Sequence, residues 1–266
     1  MNDYKSLIDN TPASFSKLTT GTSNQIYASN ELLIRKKINN EVDKDFNLPE
    51  AEFNIYKSLK GNRIAPTLFY FDENGNKVEE FIKSREFDKN NKEDIIKVAN
   101  VIKELHALPI FDNQDEFNLI QRLSFYKKDI ESPFKEEKQI VRRAINIINS
   151  SKQVISHNDL WSGNILIDEN RAYLIDFEFA SINSYYFDLA SLIEENALDK
   201  EMISYFLNQF DLDEKEIRDI YALIPFLDIL WYYWALARYK ETSLANFLEI
   251  AKSKKQYYLD NLDFFL

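Results

Sequence analysis

Three polar side chains near the middle of the chain, Asp159, Asn164 and Asp176, stand at spacings that suit phosphoryl transfer. They fall in two runs, HNDLWSGNILI at 157–167 and LIDFE at 174–178. Moving a γ-phosphoryl group demands little covalent chemistry from a protein. It needs a carboxylate to orient the attacking hydroxyl and oxygen ligands to hold Mg2+ on the phosphates. This segment offers both.

The elements around these residues must bring them together, and the local pattern says how. Val154 and Ile155 lead into a polar loop. Ile165–Ile167 reads as a short strand that breaks at the turn Asp168-Glu169-Asn170, and Ala172–Ile175 reads as the returning strand. A hairpin of that kind sets Asn164, at the start of its first strand, beside Asp176, at the end of its second. Two oxygen donors then converge, as a hard cation such as Mg2+ prefers. Asp159 precedes Asn164 by five residues in a loop where Gly163 allows a tight backbone, so its carboxylate can face the same space. A single Asp in a loop usually serves a turn or a cap. Three such groups with apolar strands between them make a more specific pattern.

Composition is consistent with an enzyme of this kind and excludes several others. At 266 residues the chain can bury a large core, as one domain or as two lobes around a cleft. Its 45% hydrophobic and 29% charged residues are ordinary for a globular protein. There is no cysteine, which rules out disulfides, zinc–thiolate sites and a thiol nucleophile. A formal charge of −11 works against general affinity for nucleic-acid phosphates and suits a cationic substrate. The start, MNDYKSLIDN, shows neither a basic nor an apolar segment of a secretory signal, so the cytoplasm is the expected compartment. The longest apolar run, Tyr221–Ala237, is interrupted by Pro225 and Asp228 and is short for a membrane span; a buried helix is expected there.

Toward the N-terminus, Phe15–Thr20, Gln25–Ser29 and Leu32–Ile38 read as three successive strands of an antiparallel sheet. In the third, Arg35 and Lys37 point one way and Lys36 the other. Pro49-Glu50-Ala51-Glu52 opens a helix through Leu59, with proline at its start and acids in its first turn. Leu68–Phe71 and Lys77–Ile82 read as two more strands, and Ile95–Leu108 as a helix whose His106 is structural. Further on, Asp188 opens a helix that carries Glu194 and Glu195, and an N-cap is its simplest role. Helical spacing then places Asp228, Trp231 and Trp234 on one face at i,i+3 steps. Such a face either packs a core or, with a carboxylate beside it, attracts an ammonium through cation–π interaction.

HNDLWSGN fits the HxDxxxxN catalytic loop, and IDFE the metal-binding segment, of the aminoglycoside phosphotransferase and choline kinase superfamily, which this chain resembles from about Leu18 to Trp234. The resemblance implies a bilobal, protein-kinase-like α+β fold. A small five-stranded antiparallel N-terminal lobe, residues 1–82, would clamp the nucleotide, and a mainly helical lobe, residues 83–266, would carry catalysis and substrate. By the same resemblance Asp159 is the catalytic base, Asn164 and Asp176 are Mg2+ ligands, and His157 and Asp188 support the loop. The stretch from Thr20 to Tyr27 is similar to the family's GGxTNxxY loop, with Thr20 in place of the first glycine, so Gly21, Ser23 and Asn24 would meet phosphates. Arg35 would hold the α- and β-phosphates, and Glu52, with Glu50 as competitor, would pair with that cation. Backbone groups of Glu80, Phe81 and Ile82 would meet the adenine. Trp231 and Trp234 match the family's WxxW pair lining a choline pocket, with Glu195 or Asp228 supplying negative charge. The expected reaction is transfer from ATP, with Mg2+, to the hydroxyl of choline, giving phosphocholine and ADP. Its competitors are the same fold acting on ethanolamine, thiamine or an aminoglycoside, and a nucleotide-binding protein without turnover. The last would be marked by loss of Asp159, Asn164 or Asp176, and all three are present. The partners expected are small molecules, with no nucleic acid and no membrane span.

Overall fold

The structure, a computed structural model, describes residues 4–18, 24–38, 41–112 and 114–266. Helix α1 (Tyr4–Asp9) precedes strands β1 (Ser16–Leu18), β2 (Asn24–Ala28) and β3 (Leu32–Lys37). Helix α2 (Pro49–Leu59) follows, then β4 (Leu68–Phe71) and β5 (Lys77–Glu80). These strands form one antiparallel sheet in the order β1-β2-β3-β5-β4. Strand alternation sorts its residues by face. Ile34 and Val78 pair across β3 and β5 and are fully buried against Ile8 of α1. Arg35 and Lys77, the next pair in that register, lie on the opposite face with Glu79, toward α2.

Helix α2 begins where the sequence pattern puts it, at Pro49, a residue whose missing N–H and fixed φ suit the first helical position. The expected pairing of Glu52 with Arg35 is not what forms. Glu52 is buried and bonds Lys77 on β5, whereas Arg35 bonds Glu79, and Glu50 is not the partner of either. The cause is register: Lys77 stands opposite Arg35, and of the two cations it is the one that meets the first turns of α2.

After the short β6 (Arg85–Glu86) the chain becomes mainly helical: α3 (Lys92–His106), α4 (Leu119–Tyr126) and α5 (Glu137–Ser150). Strands β7 (Gln153–Ser156), β8 (Ile165–Ile167), β9 (Ala172–Leu174) and β10 (Ser181–Ser184) come next, followed by α6 (Tyr185–Glu195), α7 (Lys200–Leu207), α8 (Glu214–Thr242) and α9 (Ala245–Phe265). β8 and β9 form the expected hairpin, with β6 on the outer side of β8, and β7 pairs with β10. Helix α8 opens on a capping box, Asp213 and Glu216 each accepting the other's backbone N–H. It is long and apolar enough to cross a membrane, but most of its apolar stretch is buried inside the protein, against α5, α6 and α9. That accounts for the apolar run around Pro225: it is core. The architecture is the bilobal protein-kinase-like one, a small sheet with α2 against a larger helical body.

Candidate active site

The catalytic-loop sequence leaves the buried end of β7 and turns at Asn158, which adopts the left-handed conformation at φ 66°. A non-glycine residue there costs on the order of 1–3 kcal/mol and persists only where its surroundings hold it. Those surroundings are explicit. The Asn158 amide donates to the Phe179 carbonyl and to Ser181 Oγ, both at 2.9 Å, and accepts from Asn183 at 2.8 Å. Its backbone N–H donates to Asp188 Oδ1 at 2.8 Å, and that of His157 to Asp188 Oδ2 at 2.9 Å. His106 Nε2 lies 2.8 Å from the same carboxylate. Asp188 is fully buried yet remains below the ordinary carboxylate pKa: burial pushes it up, but His106, His157 and the Asn158 amide more than offset that. It contacts the loop, as the resemblance implied, and is not an N-cap, the simplest role its position alone suggested. Ser184 caps α6, and Asp188 sits one turn in, turned toward the loop.

His157 is fully buried, with Nε2 3.0 Å from the Ile175 carbonyl and its ring 4.9 Å from that of Phe177. Burial lowers its pKa, so it is a neutral brace between the loop and β9. Asn164 donates to both the carbonyl and the Oδ2 of Asp159, at 2.9 and 2.8 Å. With its nitrogen committed in this way, the amide oxygen of Asn164 is the atom that could meet a cation. Burial and the nearby charge of Asp176 push Asp159 up to about 7, with Asn164 and Lys254 opposing.

Asp176 is a second left-handed residue, at φ 66°. Its Oδ2 has only long contacts, 3.3 Å to the Asn24 amide and 3.7 Å to Arg35 Nη1. Burial raises its pKa, but Arg35 and Lys77 outweigh burial and hold it below its ordinary value. Among the described residues no group of three or more His, Cys, Asp or Glu could hold a metal by itself. Two oxygen donors fit Mg2+ nonetheless, because that ion keeps several waters and binds through one or two carboxylates together with substrate phosphates.

On the nucleotide side, Arg35 is buried, its Nε 3.1 Å from Glu79 Oε2. Burial works against its charge, but Asp176 and Glu79 hold its pKa above the ordinary value. Asn24 is in place beside Asp176, whereas Gly21 and Ser23 lie outside the described residues. Glu80 and Phe81 already donate their backbone N–H groups, to Thr67 and Glu31. A donated bond to adenine is therefore open to Ile82 and not to these two.

On the acceptor side, Glu194 and Glu195 end α6, where both bond Lys254 of α9. Asp228 faces them from α8; burial and then Glu194 raise its pKa well above the usual range, and its Oδ1 has no hydrogen-bond partner. Trp231 is buried, edge-to-face with Phe179 at 5.6 Å and with Trp234 at 5.9 Å. Trp234 is half-buried and donates from Nε1 to Asp43 Oδ2 at 3.0 Å. Trp231 packs on Phe179, whose carbonyl bonds Asn158 beside Asp159, and Leu160 bonds Ser191 and Asn196 at the end of α6, so acids, aromatic pair and loop are neighbours. Lys77, Glu178, Asp43, Phe179 and Lys254 escaped sequence reasoning. Glu178 had a visible signal, standing two residues after Asp176; Lys254 had none, since nothing in its local sequence names its partners.

With this geometry in hand, comparison with known proteins gives the family. Residues 15–222 match the choline/ethanolamine kinase family model. The chain belongs to that family. A LicA homolog from Mycoplasma capricolum is 26% identical over 223 residues, spanning 81% of this chain and 87% of the relative. The choline kinase LicA from Streptococcus pneumoniae superposes with a TM-score of 0.73 at 18% identity, over 97% of each chain. A choline/ethanolamine kinase family protein from Mesorhizobium loti gives 0.74 at 14% identity, over 97% of this chain and 93% of that one. The chain is thus an ATP-dependent phosphotransferase with an alcohol group as acceptor, and its substrates are small molecules.

Proposed function

We propose that the acceptor is choline and that the products are phosphocholine and ADP. The observation that carries this reading is the Trp231–Trp234 pair, packed on Phe179 next to the loop of Asp159, with the carboxylates of Glu195 and Asp228 nearby. Aromatic faces attract a quaternary ammonium, which offers no N–H to satisfy. Asp159, with a pKa near working pH, accepts the proton of the choline hydroxyl as its oxygen attacks the γ-phosphorus. Asn164 orients that carboxylate, and Asp188 holds the loop beneath it. Asn164 and Asp176 would hold Mg2+, which when bound neutralises charge on the phosphates. Arg35 steadies Asp176 and faces the α- and β-phosphates, with Asn24 alongside. Ile82 meets the adenine at the crossing between lobes, which this reading divides as residues 1–82 and 83–266. The cytoplasm, where ATP is available, is the compartment it expects.

The test is ADP release with ATP and Mg2+ across choline, ethanolamine, thiamine and several aminoglycosides, alongside Asp159→Ala. Choline should give the highest kcat/KM, and loss of the base should lower kcat by roughly 10²–10⁴. An Asp159→Ala protein that turns over normally, or a clear preference for another acceptor, would overturn the reading.

A further inference from the structure

Lys254 reaches the end of α6 from α9, far along the chain from the catalytic-loop sequence. Its Nζ donates to Oε1 and Oε2 of Glu194 at 2.7 and 2.9 Å and to Oε2 of Glu195 at 2.8 Å. An ammonium has three N–H donors, and all three are used here. The side chain is 13% exposed and Glu194 only 1%, so the bonds form largely out of water. Leu160, the residue after Asp159, donates its N–H to Ser191 Oγ of α6 at 3.1 Å and accepts from the Asn196 side-chain amide at 2.8 Å, which brings the end of α6, and Lys254 bonded to it, to the loop that carries Asp159.

An ethanolamine head group has three N–H donors of its own, and leaving water without acceptors for them is costly. Choline has none. Three of the four oxygens of Glu194 and Glu195, the carboxylates at the end of α6, already accept from Lys254. Apart from Glu195 Oε1 and Asp228 Oδ1, what is left for the incoming head group is the half-buried ring of Trp234, backed by the buried Trp231, and diffuse negative charge, which favour a quaternary ammonium.

We propose that Lys254 is a specificity-determining residue: by holding three of the four carboxylate oxygens of Glu194 and Glu195, it biases the pocket against primary ammonium groups and toward choline. This rests on the assignment of Glu195, Asp228 and the Trp pair to the head group. A lysine that only ties α9 to α6 would, when removed, weaken both amino alcohols alike.

The experiment compares kcat/KM for choline and ethanolamine in wild type, K254M and K254R, with folding checked by thermal melting. In K254M the choline-to-ethanolamine ratio should fall at least tenfold, chiefly through a lower ethanolamine KM, because two carboxylates become free to accept. K254R, which keeps the donors, should stay within threefold of wild type. Should K254M fail to fold, K254Q, whose amide keeps one carboxylate bonded, should show a smaller fall in the same direction. A ratio unchanged in the methionine or glutamine protein, or one that falls as far in K254R, overturns the role of Lys254. A wild type that prefers ethanolamine defeats the choline reading instead, and the change in ratio between proteins still decides Lys254.

Discussion

Replacing Asp188 by asparagine keeps the shape of the side chain and removes one acceptor oxygen. The carboxylate takes N–H bonds from His157 and Asn158 on different oxygens, with His106 sharing Oδ2. Asparagine can serve only one side, so an NH2 group must face a buried backbone N–H or His106. A hydrogen bond to a charged group contributes about 1.5–3 kcal/mol, and a buried donor left without a partner costs about 1–3 kcal/mol. We expect D188N to lose roughly 2–4 kcal/mol, a large share of a typical stability of about 5–15 kcal/mol. At about 2–4 °C per kcal/mol for a chain of this size, the melting temperature should drop by roughly 5–15 °C. The Asp188 pKa is lower in the folded protein than in the unfolded chain, so its stabilisation is complete above the unfolded value, near 4, and fades as pH falls through the folded one. The gap between the two proteins in urea denaturation should therefore be widest at neutral pH and narrow in acid. Because Asn158 adjoins Asp159, a shifted loop should also lower kcat, by on the order of 10² for a displacement near 1 Å. A D188N protein melting within 2 °C of wild type, with unaltered kcat, refutes the view that this carboxylate holds the loop.

K77M should destabilise by about 3–5 kcal/mol, since it leaves the buried Glu52 carboxylate without its cation. The double variant E52Q/K77M should recover most of that loss, and urea midpoints in which the double is no better than K77M would contradict a coupled pair. Trp234→Ala should raise the KM for choline at least tenfold, on the order of the 2 kcal/mol a desolvated cation–π contact contributes, and leave the KM for ATP within twofold. Equal effects on both substrates would mean that the ring only packs.

Signals confined to a few neighbouring residues were legible in the sequence. The β8–β9 hairpin, the start of α2 at Pro49 and the meeting of Asn164 with Asp159 follow from turn residues, proline and loop spacing. The choice of ion-pair partners was not, because it is made by register and helix packing. Arg35 and Glu52 are separated by a competing cation that only the β3–β5 pairing brings opposite Arg35. From its position alone Asp188 could have been a cap, but α6 begins at Tyr185 with Ser184 as its cap, which leaves the Asp188 carboxylate to the loop. Lys254 shows the limit most plainly: its partners lie on a helix sixty residues away.

The buried charges on the inner face of the sheet need a reason to exist, since removing such groups from water is expensive and a well-packed apolar pair often does as well for stability. Their effect on the metal loop supplies one. Lys77 bonds Glu52, Arg35 bonds Glu79, and both cations act on Asp176, which they hold below its ordinary pKa against the pull of burial. Glu178, two residues along the same loop, has no bond of that kind: burial and the charge of Asp176 push it up to about 8, and Lys37 at 3.8 Å opposes without prevailing. Two carboxylates in one loop are thereby set apart in proton affinity by strands that precede them by about a hundred residues in sequence. Asp176 is thus held toward its ionised form, which suits the role of cation ligand proposed for it, and Glu178 beside it toward its protonated form. Separation of neighbouring acids by environment is how a site assigns them different tasks. In this protein the N-terminal sheet makes that assignment, and it therefore conditions the chemistry of a loop it does not contain.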